Sequence, residues 1–469
     1  MKSFSMTIDA EPVQGTAPMM EVLNPATGQP TFAVPDCTAT ELDQAFESAE
    51  RAQQSWARDD DARREALRAS AEILTDNVDS LAPILTAEQG RALRGAAEEV
   101  RLAATWFSYY ADLEMAPEVI RDDDLAYVEV VRCPMGVVAA ITPWNYPLLL
   151  ASWKLAPALR AGNTIVVKPS PYTPASTLKM VELLNEALPA GTLNAVSGGD
   201  AVGRWMTGHP TPRKISFTGS TATGRHVAAS AASDLKRVTL ELGGNDAAIV
   251  LDDADIDAIA RKLFWGAFTN SGQVCSAIKR VYVPKKLEAD LVDALVAQAD
   301  RATVGDGMDP HTVLGPINNR PQHQRVHELV NAARSDGATV ATGGSPVSGD
   351  GYFFETTILT SATEGMAVVD EEQFGPVLPI IAYTDEAEAI ERANSTQYGL
   401  SGSVWSSDPG RAAATARRLQ AGTVWANTHL ALAPYQPFGG FKWSGIGVEN
   451  GPWGLASFSE TQVVHCARS

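Results

Sequence analysis

From Val137 onward the chain alternates short apolar runs, each bounded by Gly, Pro or Ser, with windows of helical period. That alternation confines it to few folds. Strands are predicted at 137–142, 164–168, 192–196, 214–217 and 238–242, with helices near 148–161, 174–188, 200–208 and 221–233. Strands separated by helices build a parallel sheet covered on both faces, and such sheets take ligands at the carboxyl ends of their strands. A second alternation follows at 247–251, 279–283, 339–341, 378–383, 403–405 and 423–427. The expected fold class is therefore α/β, with two sheet-bearing units meeting near Gly243-Gly244.

The first quarter reads differently. After the turn Asn24-Pro25-Ala26-Thr27-Gly28, Thr38 and Glu41 stand as a capping box. Leu42, Ala45, Phe46, Ala49, Ala52 and Trp56 then keep helical period, and helical patterns continue over 62–77, 78–89 and 92–113. The opening MKSFSMTIDAEPVQ is expected to be a flexible lead-in without signal-peptide character. Segments 125–133 and 457–465 alternate as exposed strands, predicted to pair with each other and to present an edge to a second subunit.

Charge narrows the partners. With 37 basic and 56 acidic residues the net charge is -19, which repels phosphate backbones and anionic lipid, so neither nucleic acid nor a membrane surface is expected as a partner. The most apolar stretch, 134–153, is interrupted by Pro143, Asn145 and Pro147, and reads as strand, loop and helix start rather than a membrane span. Cys37, Cys133, Cys275 and Cys466 have no regular spacing, which points to a reducing, cytoplasmic setting. No histidines are spaced as metal ligands with a cysteine, so no metal is expected.

Several stretches carry chemistry. FTNSGQVCS (268–276) places Cys275 in a polar turn after an amphipathic helix, where an exposed thiol could act as nucleophile or pack as a small apolar residue. Residues 214–224 run from an apolar strand through Gly219 and Ser220 into a helix containing Gly224, a geometry that favours an anion such as pyrophosphate. Arg225-His226 stand where a P-loop needs Lys-Ser/Thr, which excludes that nucleotide site. Lys168 closes another strand, where a lysine either reaches the ribose hydroxyls of a bound nucleotide or, as is commoner for a strand end, is simply solvated. Glu241 lies in an apolar strand among Val238, Leu240 and Leu242, where burial raises a carboxyl toward the range of a general base. Asn145, in a Pro-fixed loop between Trp144 and Tyr146, offers the amide donor an oxyanion hole needs. Thiol, carboxylate, amide donor and phosphate turn suit one reaction: thiolate addition to an aldehyde, hydride loss to a nicotinamide, and hydrolysis of the thioester left behind.

PWNYP (143–147), KPSP (168–171), FTGS (217–220), LELGG (240–244), GQVCS (272–276), EEQFGPV (371–377) and PFGGFKWSGIGVENG (437–451) occur in that order. With them the chain resembles the aldehyde dehydrogenase superfamily from Asn24-Pro25 to its last strand, and the interval 275 − 241 = 34 residues is similar to the family's base-to-nucleophile interval. The resemblance implies Cys275 as nucleophile, Asn145 with the Cys275 N–H as oxyanion hole, Glu241 as base, and Lys154 with Glu449 as proton relay. It further implies NAD or NADP held by Trp144, Lys168, Ser170, Gly219, Ser220, Gly224, Leu242, Glu372 and Phe374. The implied fold is a Rossmann-like NAD(P)-binding domain (1–122 and 137–242), an α/β catalytic domain (243–440) and a small β oligomerisation element (123–136 and 441–469), in a homodimer or homotetramer.

Departures from the family pattern bear on specificity. Pro171 stands where NAD-preferring relatives often carry Glu, Asn245-Asp246 replace a commoner Lys-Ser, and Val448 replaces a common Arg. No additional basic residue stands beside Lys168, which favours NAD over NADP. The substrate pocket is expected to be formed by Tyr146, Trp153, Val274, Ser276, Leu432 in the loop 430–436, and Phe438. No Lys or Arg is found among these, so the expected substrate is an uncharged or weakly polar aldehyde. The alternatives are a CoA-acylating relative, against which the buried Glu241 argues, and a non-catalytic protein on the same fold.

Overall fold

The computed structural model describes residues 1–468. An eight-stranded sheet runs in the order Gly445–Ile446, Arg237–Glu241, Lys214–Thr218, Val137–Ile141, Thr164–Lys168, Leu193–Ala195, Met6–Ile8, Glu11–Val13. Its central strands, from Arg237–Glu241 to Leu193–Ala195, are parallel, and antiparallel strands are added at both ends. Strand periodicity explains why helices cover both faces. Val138, Ala140, Ile165 and Val167 enter one core with helices Pro147–Arg160 and Ala175–Leu184, while Val137, Ala139, Ile141 and Val166 enter another with Ala39–Trp56 and Thr221–Ala232.

The second sheet has seven strands: Thr339–Thr342, Thr357–Thr360, Val377–Tyr383, Ile278–Pro284, Asp246–Val250, Ser401–Trp405 and Thr423–Ala426. All pair in parallel except the first. The chain crosses from one sheet to the other between Glu241 and Asp246, through Gly243-Gly244. The capping box is present: Glu41 N–H bonds Thr38 Oγ1 at 3.3 Å, and Thr38 N–H bonds the Glu41 carboxylate at 2.8 Å.

Three expectations need correction. The N-terminus is no flexible lead-in: Lys2–Ser3, Met6–Ile8 and Glu11–Val13 are strands, and Met6 and Ile8 are buried. Met6–Ile8 pairs with Glu11–Val13 next to it but joins the sheet through Ala195, opposite Thr7 and far along the chain, and strands of two or three residues are too short to show periodicity. The exposed strand Glu118–Asp122, grouped in the sequence reading with the cofactor unit, instead joins Ala126–Pro134 and Ser459–Ala467 in a small three-stranded sheet. Conversely, Gly445–Ile446, grouped with that small element, pairs with Arg237–Glu241 at the edge of the large sheet. The 125–133 and 457–465 segments do pair, antiparallel, with Ala126–Pro134 opposite Ser459–Ala467.

Candidate active site

Lys168, Thr218 and Glu241 are the last residues of three parallel strands, so the carboxyl end of the eight-stranded sheet brings their side chains to one side. Glu241 is buried, and neither carboxylate oxygen has a hydrogen-bond partner. Burial, reinforced by the charge of Glu449 and opposed by Lys154, pushes its pKa well above the ordinary carboxylate range. Behind it lies a closed polar cluster: Lys154 Nζ donates to Thr218 Oγ1 at 2.8 Å and to Glu449 Oε1 at 2.5 Å, and Ser216 Oγ donates to the same oxygen at 3.1 Å. Glu449 is held there by paired backbone bonds with Phe438 at 2.7 and 2.8 Å.

Cys275 sits after the helix Ile256–Phe268 and a tight turn in which Asn270, Ser271 and Gly272 all have left-handed backbone, with φ of 53°, 56° and 72°. The thiol is half-buried rather than exposed. Burial pushes its pKa up, and Glu241, Asp246 and Glu372 add to the rise while the Ser276 N–H opposes it. Asn145 is buried, and its side-chain N–H donates to Gln273 O at 3.0 Å, two residues before the thiol. One N–H of that amide and the Cys275 backbone N–H bond no protein acceptor among the described residues.

The cofactor candidates fall into two groups. Near the first, Ser220 caps the helix Thr221–Ala232 by accepting from Thr223 N–H at 3.2 Å, leaving the Thr221 and Ala222 N–H groups without intrahelical partners. Gly219 precedes the cap. Gly224 lies one turn in, where any Cβ would collide with Leu242, so the helix rests directly on the strand end. Lys168 Nζ donates to Pro169 O at 2.9 Å, and burial lowers its pKa to about 8 against the pull of Asp200, Asp36 and Cys37. Ser170 is buried with its hydroxyl turned to Tyr172 N–H at 3.3 Å. In the second group Glu372 accepts from Gly244 N–H at 3.0 Å and closes over Gly243, where a Cβ would displace the carboxylate. Burial raises Glu372 to about 7. Trp144 and Phe374 meet edge to face, with centroids 5.2 Å apart.

On the opposite side Trp153 stacks on Trp106 with centroids 5.7 Å apart and meets Phe438 at 5.3 Å. Tyr146, Cys275 and Leu432 pack against the core cluster that holds these rings. Val274 and Ser276 are buried on either side of the thiol, and the Ser276 carbonyl is bonded by His429 Nε2 at 2.7 Å. Sequence reading missed the groups that fix these loops. Arg91, Glu99, Gln273 and Lys279 are buried at or beside the site; Arg91 and Glu99 lie in a charged segment that reads as surface, while Gln273 within GQVCS and Lys279 at the start of the predicted strand 279–283 receive no role from the sequence. The available signal was weak: Gly90 ends the helix Val78–Gln89 in left-handed backbone, so Arg91 turns inward.

The Aldehyde dehydrogenase family matches residues 13–464. The chain belongs to the aldehyde dehydrogenase family. It is thus an enzyme that oxidises an aldehyde. It is similar to a probable aldehyde dehydrogenase of Pseudomonas sp, 40% identical over 98% of this chain and 94% of that protein. It is also similar to a betaine aldehyde dehydrogenase of Agrobacterium fabrum, 38% identical over 98% and 95%. Among solved structures it resembles the NAD+ complex of an aldehyde dehydrogenase from Bacillus cereus, with a TM-score of 0.97 at 34% identity, covering 100% and 97% of the two chains. A betaine aldehyde dehydrogenase from Staphylococcus aureus in complex with NAD+ gives a TM-score of 0.95 at 35% identity, covering 99% and 94%. Among the described residues no helix is long and apolar enough to cross a membrane.

Proposed function

We propose that this aldehyde dehydrogenase converts an uncharged or weakly polar aldehyde to its carboxylic acid through a thioester on Cys275, with NAD as the preferred coenzyme. The observation that carries the reading is the pairing of a half-buried thiol with a buried, unpartnered carboxyl at Glu241. A carboxyl without hydrogen bonds is costly to keep in a core, and a site that must capture a water proton accounts for it.

The Cys275 sulfur attacks the aldehyde carbon. The resulting oxyanion is met by the Cys275 N–H and the free N–H of Asn145. A bound nicotinamide dinucleotide supplies the hydride acceptor. Glu241 in its ionised form then takes a proton from the water that attacks the thioester, and the carbon–sulfur bond breaks to release the acid and the Cys275 thiolate. Lys154, Glu449, Ser216 and Thr218 are bonded to one another behind Glu241, and a water bridging from the Glu241 carboxylate would complete a route by which that proton leaves.

The residues present fit a dinucleotide. Free N–H groups at the start of Thr221–Ala232, with Gly224 giving close approach, suit a pyrophosphate. Lys168 has N–H donors left beyond Pro169 O, which suit a ribose, and Glu372 with Trp144 and Phe374 suits the nicotinamide riboside. NAD is favoured because the charges acting on Lys168 are carboxylates, Asp200 and Asp36, which would repel a 2′-phosphate.

The uncharged substrate is favoured by the aromatic surfaces. The Arg91 guanidinium lies 3.9 Å from the Tyr146 ring centre and repels a second cation there, and one face of Trp153 is stacked on Trp106, so these rings are poorly placed to receive a quaternary ammonium. The related enzymes named for betaine aldehyde would then differ from this one in substrate. The exposed edge of Ser459–Ala467 supports strand pairing between subunits in a dimer or dimer of dimers. A cytoplasmic site of action agrees with the free cysteines.

Steady-state turnover of an aldehyde panel with NAD+ and NADP+ in parallel, without CoA, tests this. Neutral aliphatic and aromatic aldehydes should give NADH at higher kcat/KM than betaine aldehyde or semialdehyde acids. Turnover confined to charged aldehydes, or dependent on CoA, would overturn it.

A further inference from the structure

The loop that carries the oxyanion donor is held by a buried ion pair that no motif marks. Arg91 Nη1 meets Glu99 Oε2 at 2.5 Å, and both side chains are almost wholly shielded from solvent. Glu99 uses its other oxygen to accept from Leu148 and Leu149 N–H at 2.9 and 3.1 Å, so it caps the first turn of the helix Pro147–Arg160 from a neighbouring helix. Arg91 has further N–H groups. Nη2 donates to the backbone carbonyl of Asn145, Nε donates to Gln89 Oε1 at 3.0 Å, and the planar guanidinium lies over Tyr146. The Asn145 carbonyl also receives Asn270 Nδ2 at 3.2 Å, from the turn leading to Cys275.

The Arg91 backbone is fixed as firmly as its side chain. Leu93 N–H bonds Gly307 O at 2.9 Å, and neither Gly307 nor Gly315 has room for a Cβ beside the Gly90-Arg91 backbone. Ser271 Oγ, in the turn before the thiol, donates to Gly315 O at 2.7 Å. The guanidinium therefore stands where the oxyanion-donor loop, the helix start that follows it and the turn before the nucleophile are tied together. An ion pair that only stabilised the fold would need neither a bond to Asn145 nor a place over Tyr146, and such pairs contribute little against apolar replacements.

We propose that Arg91, braced by Glu99, is a positioning residue that acts through Asn145, setting the donor amide at the distance the oxyanion requires. The proposal rests on the oxyanion role given to Asn145 above. Sub-ångström placement of such a donor has large rate effects, because removing one costs about 100- to 1,000-fold in kcat. Arginine is suited to the task because its rigid fork serves Glu99 and Asn145 at once, whereas a lysine ammonium is a single point charge.

A double-mutant cycle tests it, using Arg91→Lys, Arg91→Gln, Asn145→Ala and the combined variants. Arg91→Lys keeps a cation for Glu99 and serves where Arg91→Gln does not fold. Expected are a fall in kcat of about 10-fold or more for Arg91→Lys, a KM within about 3-fold, and unchanged rates of Cys275 alkylation by iodoacetamide, a reaction that makes no oxyanion. In the Asn145→Ala background the Arg91 substitution should add less than about 3-fold. Full multiplication of the two effects, or loss of alkylation rate in step with kcat, would overturn the proposal by showing a general structural role. An Asn145→Ala enzyme with undiminished kcat would instead remove the oxyanion reading on which it rests.

Discussion

Glu241 ties function to a stability cost, and its replacement separates the two. Glu241→Gln keeps the shape of the side chain but cannot take a proton, so thioester hydrolysis should slow by the ~100- to 10,000-fold that a general base contributes. Thiohemiacetal formation and hydride loss do not need that base. In stopped flow, mixing the variant with aldehyde and NAD+ should release close to one NADH per subunit in a burst, then turn over slowly, with an acyl adduct on Cys275 by mass spectrometry. The pH dependence has a definite sign. The wild-type carboxyl is raised by burial and by Glu449, so it becomes an effective base only as pH rises through a pKa above the ordinary carboxylate range. Steady-state kcat should therefore climb with pH in the wild type, and the Gln variant should lose that limb. Both carboxylate oxygens lack partners, so Glu241→Met should raise stability, by about 1–3 kcal/mol for removal of a buried unsatisfied group, read as a higher unfolding midpoint. A Gln variant with no burst and unchanged kcat, or a Met variant that is less stable, would refute the reasoning.

The Cys275 thiol, raised by burial and three neighbouring carboxyls, should react slowly with iodoacetamide at pH 7 and faster as pH rises; adding NAD+ should shift the profile to lower pH, and an identical profile would exclude coenzyme activation. Asp36→Asn should improve the binding of NADP+ relative to NAD+ by about 10-fold in titration calorimetry, equal to 1.4 kcal/mol, whereas Lys168→Met should weaken both. Asp60, bonded to buried Arg160 and to Arg63 and Arg64, is held at about 2. A depressed carboxylate stabilises the fold above its unfolded pKa of about 4 and loses that contribution as pH falls toward 2, so Asp60→Asn should lower the unfolding midpoint at pH 7 and leave a smaller difference near pH 2.

What the sequence disclosed follows from which interactions are local. The parallel strands were legible because each is a run of apolar residues buried on both faces, and the strand-end positions of Lys168 and Glu241 came with them. Cys275, Glu241 and Asn145 stand in segments whose Gly, Pro and apolar neighbours mark them as unusual. Met6–Ile8 and Gly445–Ile446 were not legible because two or three residues have no periodicity, and their strand character comes from partners elsewhere in the chain. Arg91 and Glu99 failed to stand out for a related reason. A charged side chain in a helix, like Glu99, or in the short link between two helices, like Arg91, reads as solvent-facing until the fold supplies a buried partner, here the helix start at Leu148 and the carbonyl of Asn145. The thiol's exposure was overestimated because the polarity of Asn270, Ser271 and Gln273 serves internal bonds rather than water.

Those internal bonds bear on why the nucleophile turn holds its shape. Asn270 and Ser271 occupy left-handed backbone, which costs about 1–2 kcal/mol for each residue with a Cβ, somewhat less for Asn. Such a turn persists only where its surroundings fix it. Lys279 is the buried cation at its end: Nζ donates to Gly272 O at 2.5 Å and to Gly375 O at 3.1 Å, and burial lowers its pKa to about 8. It thereby joins the turn before Cys275 to the segment carrying Glu372 and Phe374. Lys279→Met removes both bonds and leaves two carbonyls unsatisfied, so the two segments should loosen together. The expected signature is a lower kcat accompanied by weaker NAD+ binding in titration calorimetry, with Cys275→Ala affecting turnover alone. If Lys279→Met lowered kcat but left NAD+ affinity unchanged, the turn and the Glu372 segment would be independently held, and the link through Lys279 would be wrong.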